Sequence, residues 1–442
     1  MEIISDLHLH SKYSRACSKD LNIENMEKYA KIKGINLLGT GDFQHPKWQK
    51  ELKEVLIEDE TGILRTKNNF PFILTSEISL IYSQNRKGRK IHNIIWAKSF
   101  DVAEQVSEAL LKKGRIDYDG RPIFGMSCPE FTEIMKEIDD KIEIIPAHVW
   151  TPWFGLFGSN SGFDSVEEAF QEKANKIYAL ETGLSSDPEM NWRLSKLDRF
   201  SLVSFSDSHS YWPWRLGRET TIFDFEDEEK FTYDNIIKAI RTKQGLKGTI
   251  EVDPGYGKYH FDGHRNCNFS VSPDEAKKLK NICPKCRKPL TIGVEHRVNE
   301  LADRPFGFKP KEAVEFKKLL PLSELISAVY GKGVATKNVW ETYYKLVGKL
   351  GSEFDILRKT PIEEIEKYVD KKLADFILKN RNQEIKVIPG YDGNYGIPVF
   401  DGVAIKIEES QDIIKETETK KENIEELEKN RFSQQKGLND FF

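Results

Sequence analysis

Through about the first 255 residues, short apolar strands alternate with amphipathic helices, and side chains able to bind metal recur where the strands end. That alternation admits few folds, because strands joined by helical crossovers become neighbours in a sheet with helices over its faces. Strands are expected over residues 2–6, 35–39, 71–76, 91–96, 142–147, 177–181 and 201–206. Helical patterns fall between them over 24–33, 102–113, 128–138 and 164–173. Seven strands so connected suggest a parallel α/β barrel or an open sheet. Both architectures put their chemistry at the carboxyl ends of the strands.

The opening run Ile3-Ile4-Ser5-Asp6-Leu7-His8-Leu9-His10 places His8 and His10 on one face of the first strand. Residues two apart on a strand lie roughly 6–7 Å from one another, close enough to share an ion. Asp42 follows in Gly39-Thr40-Gly41-Asp42-Phe43, and Glu77 comes after Ile73-Leu74-Thr75-Ser76. His92 opens the next strand, His148 follows Ile144-Ile145-Pro146-Ala147, and Asp207 with His209 follows Val203-Ser204-Phe205-Ser206. Five of the nine histidines belong to this series, which a set of unrelated surface histidines does not explain. Mixed imidazole and carboxylate donors suit Zn²⁺, Mn²⁺ or Fe²⁺, with Mg²⁺ as a further candidate. Two such ions close together would acidify a water and neutralise a phosphate, so phosphoester hydrolysis is the expected chemistry.

The series resembles the PHP (polymerase and histidinol phosphatase) phosphoesterase family over roughly residues 1–250. The resemblance is carried by Asp6-Leu7-His8-Leu9-His10, Glu77, Pro146-Ala147-His148 and Asp207-Ser208-His209. It implies a distorted (β/α)7 barrel with two or three divalent metals at its C-terminal face. His8, His10, Glu77 and Asp207 would hold one metal, and Glu77, His92 and His148 a second, with Glu77 bridging. Asp42 and His209 would contribute to a third. Two departures bear on that third metal: Ser14-Arg15 stands where an acidic residue is common, and Asp42 where a histidine is usual. Arg15 can instead hold a phosphate, since a guanidinium matches phosphate oxygens two at a time.

The net charge of −4 does not by itself suggest a nucleic-acid binder, but residues 408–429 hold nine acidic and four basic side chains. The remainder is near neutral, so local patches decide what the chain binds. No apolar run approaches the roughly 20 residues of a membrane span, and the N-terminus enters a strand directly. No membrane partner and a cytoplasmic location are therefore expected. Three of the five cysteines crowd together: His264-x-x-Cys267 is followed by Cys283-Pro284-Lys285-Cys286. This knuckle-pair spacing predicts one structural Zn²⁺, with His260 and His296 competing with His264 for the fourth position.

Aromatic residues crowd two of the loops beside the ligand series. Trp150, Trp153 and Phe154 follow His148, and Tyr211, Trp212, Trp214 and Arg215 follow His209. Rings beside a phosphate-cleaving centre suit stacking on a flipped or single-stranded base, and these residues are candidate DNA contacts. The chain closes on Gln435-Lys436-Gly437-Leu438-Asn439-Asp440-Phe441-Phe442. Gln435, Leu438, Phe441 and Phe442 reproduce the PIP-box pattern of peptides that bind the sliding clamp (PCNA). Tethered behind a charged segment, such a peptide is captured without moving the catalytic body.

The expected order is a PHP domain (1–255), a zinc module (256–310), a helical domain (311–405), a charged linker (406–430) and the clamp peptide (431–442). That order, with Leu301-Ala302-Asp303-Arg304 and Pro389-Gly390-Tyr391-Asp392-Gly393, resembles the endonuclease Q family over essentially the whole chain. The resemblance implies a DNA-repair endonuclease, working as a monomer on damaged DNA. It would hydrolyse the phosphodiester 5′ to uracil, hypoxanthine, xanthine or an abasic site. A PHP-type exonuclease or general phosphoesterase, and an inactive clamp-tethered DNA-binding module, are the alternative readings.

Overall fold

The computed structural model describes residues 1–400 and 402–404. The expected linker 406–430 and the clamp peptide, with Gln435, Leu438, Phe441 and Phe442, lie outside the described residues. Among the described residues no helix is long and apolar enough to cross a membrane.

The first part of the chain is a mixed α/β structure. Short edge pieces apart, its strands in chain order are β1 (Glu2–Asp6), β2 (Leu37–Gly39), β3 (Pro71–Gln84), β4 (Lys87–Ala97) and β5 (Glu143–Pro146). They are followed by β6 (Ala179–Glu181), β7 (Ser201–Val203), β8 (Thr220–Asp224) and β9 (Leu246–Glu251). β1, β2 and β3 run parallel, with Asp6 opposite Leu38 and Gly39 opposite Ile73. Each crossover carries a helix, such as Ile23–Lys33, capped by the Asn22 side chain and ended by Gly34 at a φ of 96°. Glycine takes that left-handed conformation without the clash a Cβ would bring.

β3 and β4 depart from the parallel plan. They form one long antiparallel hairpin through Asn85 and Arg86, both at positive φ, where two-residue turns match the strand twist. The register of this hairpin sets Glu77 opposite Ile94 and Ser79 opposite His92. β6 and β7 pair with each other apart from the large sheet. The hydrogen-bonded ladder of a closed (β/α)7 barrel is therefore not continuous. All the same, β1 to β8 each send side chains into one apolar cluster that includes Leu7, Leu37, Ile73, Ile145, Val203 and Phe223.

Residues 315–318, within a stretch expected to be helical, form β10 (Glu315–Lys318) instead. β10 pairs in parallel with β9, with Gly248 opposite Glu315, so the sheet of the first domain extends past the boundary expected at 310. Pairing with a distant strand overrides a local helical pattern.

Five helices follow, from Leu322–Tyr330 to Lys371–Arg381. They are fastened to the first domain by buried charge. Lys33 Nζ lies 2.7 Å from Glu353 Oε1, with both side chains at most 1% exposed. Glu353 also accepts the Leu322 amide at 2.9 Å and the Tyr343 hydroxyl at 2.7 Å. Arg218 meets Glu324 at 2.6 Å, and the Tyr256 hydroxyl donates to the same carboxylate. The chain then returns: Phe261 N–H donates to the Gly390 carbonyl, and Asp392 accepts from Arg265 N–H and the Thr291 hydroxyl. The last described residues thus close on the cysteine-bearing module.

Removing one partner of a buried pair leaves the other charged and unmet, which typically costs about 3–5 kcal/mol. Glu353→Ala should lower unfolding stability by that amount, read from the denaturant midpoint at unchanged slope, while Glu363→Ala on the exposed face changes it by less than about 0.5 kcal/mol.

Candidate metal centre

Strand ends and one long hairpin deliver the ligands to one place. His8 and His10 leave β1 with ring centroids 5.8 Å apart, and both are buried. Glu77 comes from β3 and His92 from its hairpin partner β4. His148 and Asp207 sit just past β5 and β7 at positive φ, 32° and 48°. Non-glycine residues rarely adopt that backbone, and it commonly marks a site where the surroundings hold a side chain in place.

Two ligand groups share one carboxylate. His8, His10, Glu77 and Asp207 offer donor atoms within 4.8 Å of one another, and so do Glu77, His92 and His148. Glu77 Oε2 faces the first group, 3.2 Å from His10 Nε2 and 3.5 Å from His8 Nε2. Its Oε1 faces the second, 2.6 Å from His92 Nδ1 and 3.2 Å from His148 Nε2. His8 Nε2 is buried without a hydrogen-bond partner, the state expected of a nitrogen reserved for a cation. The donor set and that orphaned nitrogen fit a pair of divalent metals.

Electrostatics agree. Burial opposes the charge on Glu77, yet His92, Arg121 and His8 around it hold its carboxyl well below the usual range. Burial likewise opposes charge on His8, but Glu181, Glu77 and Asp207 raise it well above an ordinary imidazole. At His92 burial wins, and the ring is pushed down to about 4. A cation binding here displaces the protons that the raised histidines hold, so affinity falls as pH falls.

The family model described as MJ0043 C-terminal domain matches residues 321–384. The uncharacterized protein MJ0043 of Methanocaldococcus jannaschii is 34% identical over 249 residues, 56% of this chain but 31% of that protein. The chain thus spans about a third of that relative. Among solved structures, the lesion-specific endonuclease PfuEndoQ from Pyrococcus furiosus superposes with a TM-score of 0.80. It is 34% identical, with 90% of this chain and 95% of that one covered. The chain belongs to the endonuclease Q family. A second solved structure, endonuclease Q with a 27-mer duplex substrate carrying an abasic lesion at the active site, matches equally well. Its TM-score is 0.80 at 33% identity, over 92% of this chain and 99% of that one.

Within this endonuclease Q chain, Asp42 and His209 fall in none of the ligand groups found among the described residues. Asp42 is buried and already engaged, by His10 Nδ1 at 3.0 Å, the Ser11 amide at 2.6 Å and the Ser11 and Ser14 hydroxyls. It therefore orients His10. His209 Nδ1 donates to the Asp207 carbonyl at 2.9 Å, and its ring packs 4.5 Å from that of His10.

Three of the expected base-contact residues, Trp150, Tyr211 and Trp214, are buried. Trp150 is 1% exposed, with its indole N–H on Asn191. Trp212 and Trp214 each lie tilted 5.2 Å from Trp340 of helix Lys337–Leu350, and Tyr211 packs on Tyr29. Trp212 and Trp214 thereby join the helical domain to the first one, and Arg215 lies half-buried in the same turn. Trp153 and Phe154 differ. They line a cleft of about 430 Å³ with Tyr259, Arg15, Arg121, His92, His148 and Asp207. Trp153 is 41% exposed, edge-on to Tyr259, whereas Phe154 lies 4.3 Å from the His92 ring. Arg15 stands at the rim, 76% exposed and 3.3 Å from Asp119.

The cysteine module forms as expected. His264, Cys267, Cys283 and Cys286 converge within 4.8 Å, with His264 Nδ1 3.3 Å from Cys286 Sγ. Backbone amides of Lys285 and Cys286 donate to the Cys283 sulfur, as knuckle turns do. His296 is occupied by Asp262 at 2.7 Å and His260 faces Glu295, so neither competes. The donor set fits tetrahedral zinc.

Glu181 was not singled out by the motif, although it too ends a strand. Its carboxylate accepts His8 Nδ1–H at 2.9 Å and the His148 amide at 2.7 Å, so it turns His8 Nε2 toward the cluster and fixes the strained His148 backbone. Partners of this kind typically change metal affinity 10–100-fold. Glu181→Gln should weaken Mn²⁺ binding by about that factor in a calorimetric titration, with far-ultraviolet circular dichroism unchanged.

Proposed function

We propose that this chain is a lesion-specific DNA repair endonuclease that hydrolyses the phosphodiester 5′ to a deaminated base or an abasic site. The observation that carries the reading is the pair of ligand groups sharing Glu77 at the floor of an open, ring-lined cleft. It is supported by the whole-chain likeness to a lesion-specific endonuclease.

Two divalent cations in such a site supply an acidified water and charge neutralisation for a phosphate. His8, His10, Glu77 and Asp207 would hold one of them, and Glu77, His92 and His148 the other. The protein side of the reaction is preorganisation. Glu181 and Asp42 lock the tautomers of His8 and His10 so that each Nε2 faces inward. Trp153 and Tyr259 give the cleft an apolar wall on which an extruded base or sugar can rest, and Arg15 meets the strand's phosphates at the rim.

Uracil, hypoxanthine and xanthine share one change, an exocyclic amine replaced by a carbonyl. A pocket of N–H donors accepts all three and sets donor against donor for cytosine or adenine, a penalty of about 1–3 kcal/mol. Mispaired and abasic sites also open at less cost than intact pairs. The C-terminal residues Gln435, Leu438, Phe441 and Phe442 would tether the enzyme to the sliding clamp. One chain supplies every ligand, so a monomer suffices.

Incubation of a Mn²⁺-loaded enzyme with an end-labelled duplex containing one uracil should give a single nick at its 5′ side. Asp207→Ala should abolish the nick while duplex binding in an anisotropy assay persists. Laddering from an end would instead make the enzyme an exonuclease. Gln435→Ala combined with Phe441→Ala should remove co-elution with a trimeric clamp and leave nicking of a short duplex unchanged.

A further inference from the structure

We propose that Arg121 is a further catalytic residue. It neutralises Glu77 in the metal-free protein and turns onto a non-bridging oxygen of the scissile phosphate when cations occupy the cluster. This inference rests on the phosphodiesterase reading above.

Arg121 Nη1 lies 3.1 Å from Glu77 Oε2. That oxygen is the one turned to His8 and His10, so it is the one a cation in the four-residue group would take. A guanidinium and a divalent cation repel each other at such distances, and the interior screens them poorly. Glu77 has no exposed surface and cannot follow, whereas the Arg121 side chain is 30% exposed and opens on the cleft. Cation binding therefore releases the guanidinium in the direction from which a phosphate arrives.

The loop is built so that the side chain moves and the backbone does not. Asp119 accepts the amide N–H groups of Arg15 at 3.3 Å and Arg121 at 3.2 Å, and also faces Arg15 Nε at 3.3 Å. Gly120 packs so closely that a Cβ there would collide with Ser14 Oγ and Asp42 Oδ2, the layer that orients His10. Both arginines are thus referenced to the metal ligands. Beside them Ser79 Oγ is buried without a hydrogen-bond partner and lines the same cleft, opposite His92. A planar fork of N–H donors open to the cleft matches two phosphate oxygens. Donors placed where charge builds on a transferring phosphoryl group act mainly on kcat.

The test uses the full chain as Arg121→Gln and Arg121→Lys, each loaded with Mn²⁺. Arg121→Gln should bind Mn²⁺ at least as tightly as the parent, because a competing cation is gone. Its affinity for inorganic phosphate, measured by calorimetry, should fall tenfold or more. Its kcat on an abasic duplex should fall about 100-fold with KM changed less than threefold. Arg121→Lys should keep Mn²⁺ binding and recover part of the phosphate affinity, and it serves if the glutamine variant does not fold. Weaker Mn²⁺ binding in either variant, or phosphate affinity equal to that of the parent, would overturn the proposal by making Arg121 a strut for Glu77. If the parent nicks no lesion duplex, the endonuclease reading fails, and the phosphate titration still decides the role of Arg121.

Discussion

A carboxylate without exposed surface has to be answered on both oxygens, and Glu77 is answered by four imidazoles and a guanidinium. Its position in the middle of β3, rather than past a strand end, makes this possible. The antiparallel hairpin carries His92 beside it, while β1 and β5 bring His8, His10 and His148 to the remaining sides. Were the β3–β4 register to slip by one residue, Glu77 and His92 would point to opposite faces. The apolar cluster beneath, drawn from nine strands, holds that register in place.

Much of this site could be read from residue order because nearly every ligand lies at or beside an apolar run that reads as a buried strand. His8, His10, Glu77, His92, His148 and Asp207 all meet as that pattern implies. The zinc ligands were legible for a different reason: knuckle spacing is local, and His264 needs no distant partner to be placed. What could not be read depends on contacts distant in sequence. Trp212 and Trp214 look like loop aromatics until Trp340, more than a hundred residues on, packs against both. Residues 315–318 have no strand character apart from their pairing with β9. Arg121 sits in a Gly-Arg-Pro turn with nothing in its neighbours to mark it, and only the fold brings it to Glu77.

Polar burial plays two different parts in the molecule. At the metal centre it concentrates negative charge that divalent cations can satisfy. Between the first domain and the helices, Lys33–Glu353 and Arg218–Glu324 are closed pairs that a hydrophobic substitute could match for stability. Their value is orientation, since a charged pair with additional hydrogen bonds tolerates few alternative dockings. Helix Lys337–Leu350 is thereby fixed against Trp212 and Trp214, on the turn that begins just after Asp207 and His209.

The return of the chain to the cysteine module bears on how the enzyme is made. Tyr259, which forms one wall of the cleft, belongs to a segment closed by Gly390 and Asp392. On the ribosome, domains take shape from the N-terminus onward. The metal ligands up to Asp207 can therefore assemble early, but the cleft that admits a substrate has to wait for residue 392. A nascent chain can thus carry its chemistry before it carries its selectivity, and the closing loop keeps the two from meeting until residue 392 has been added.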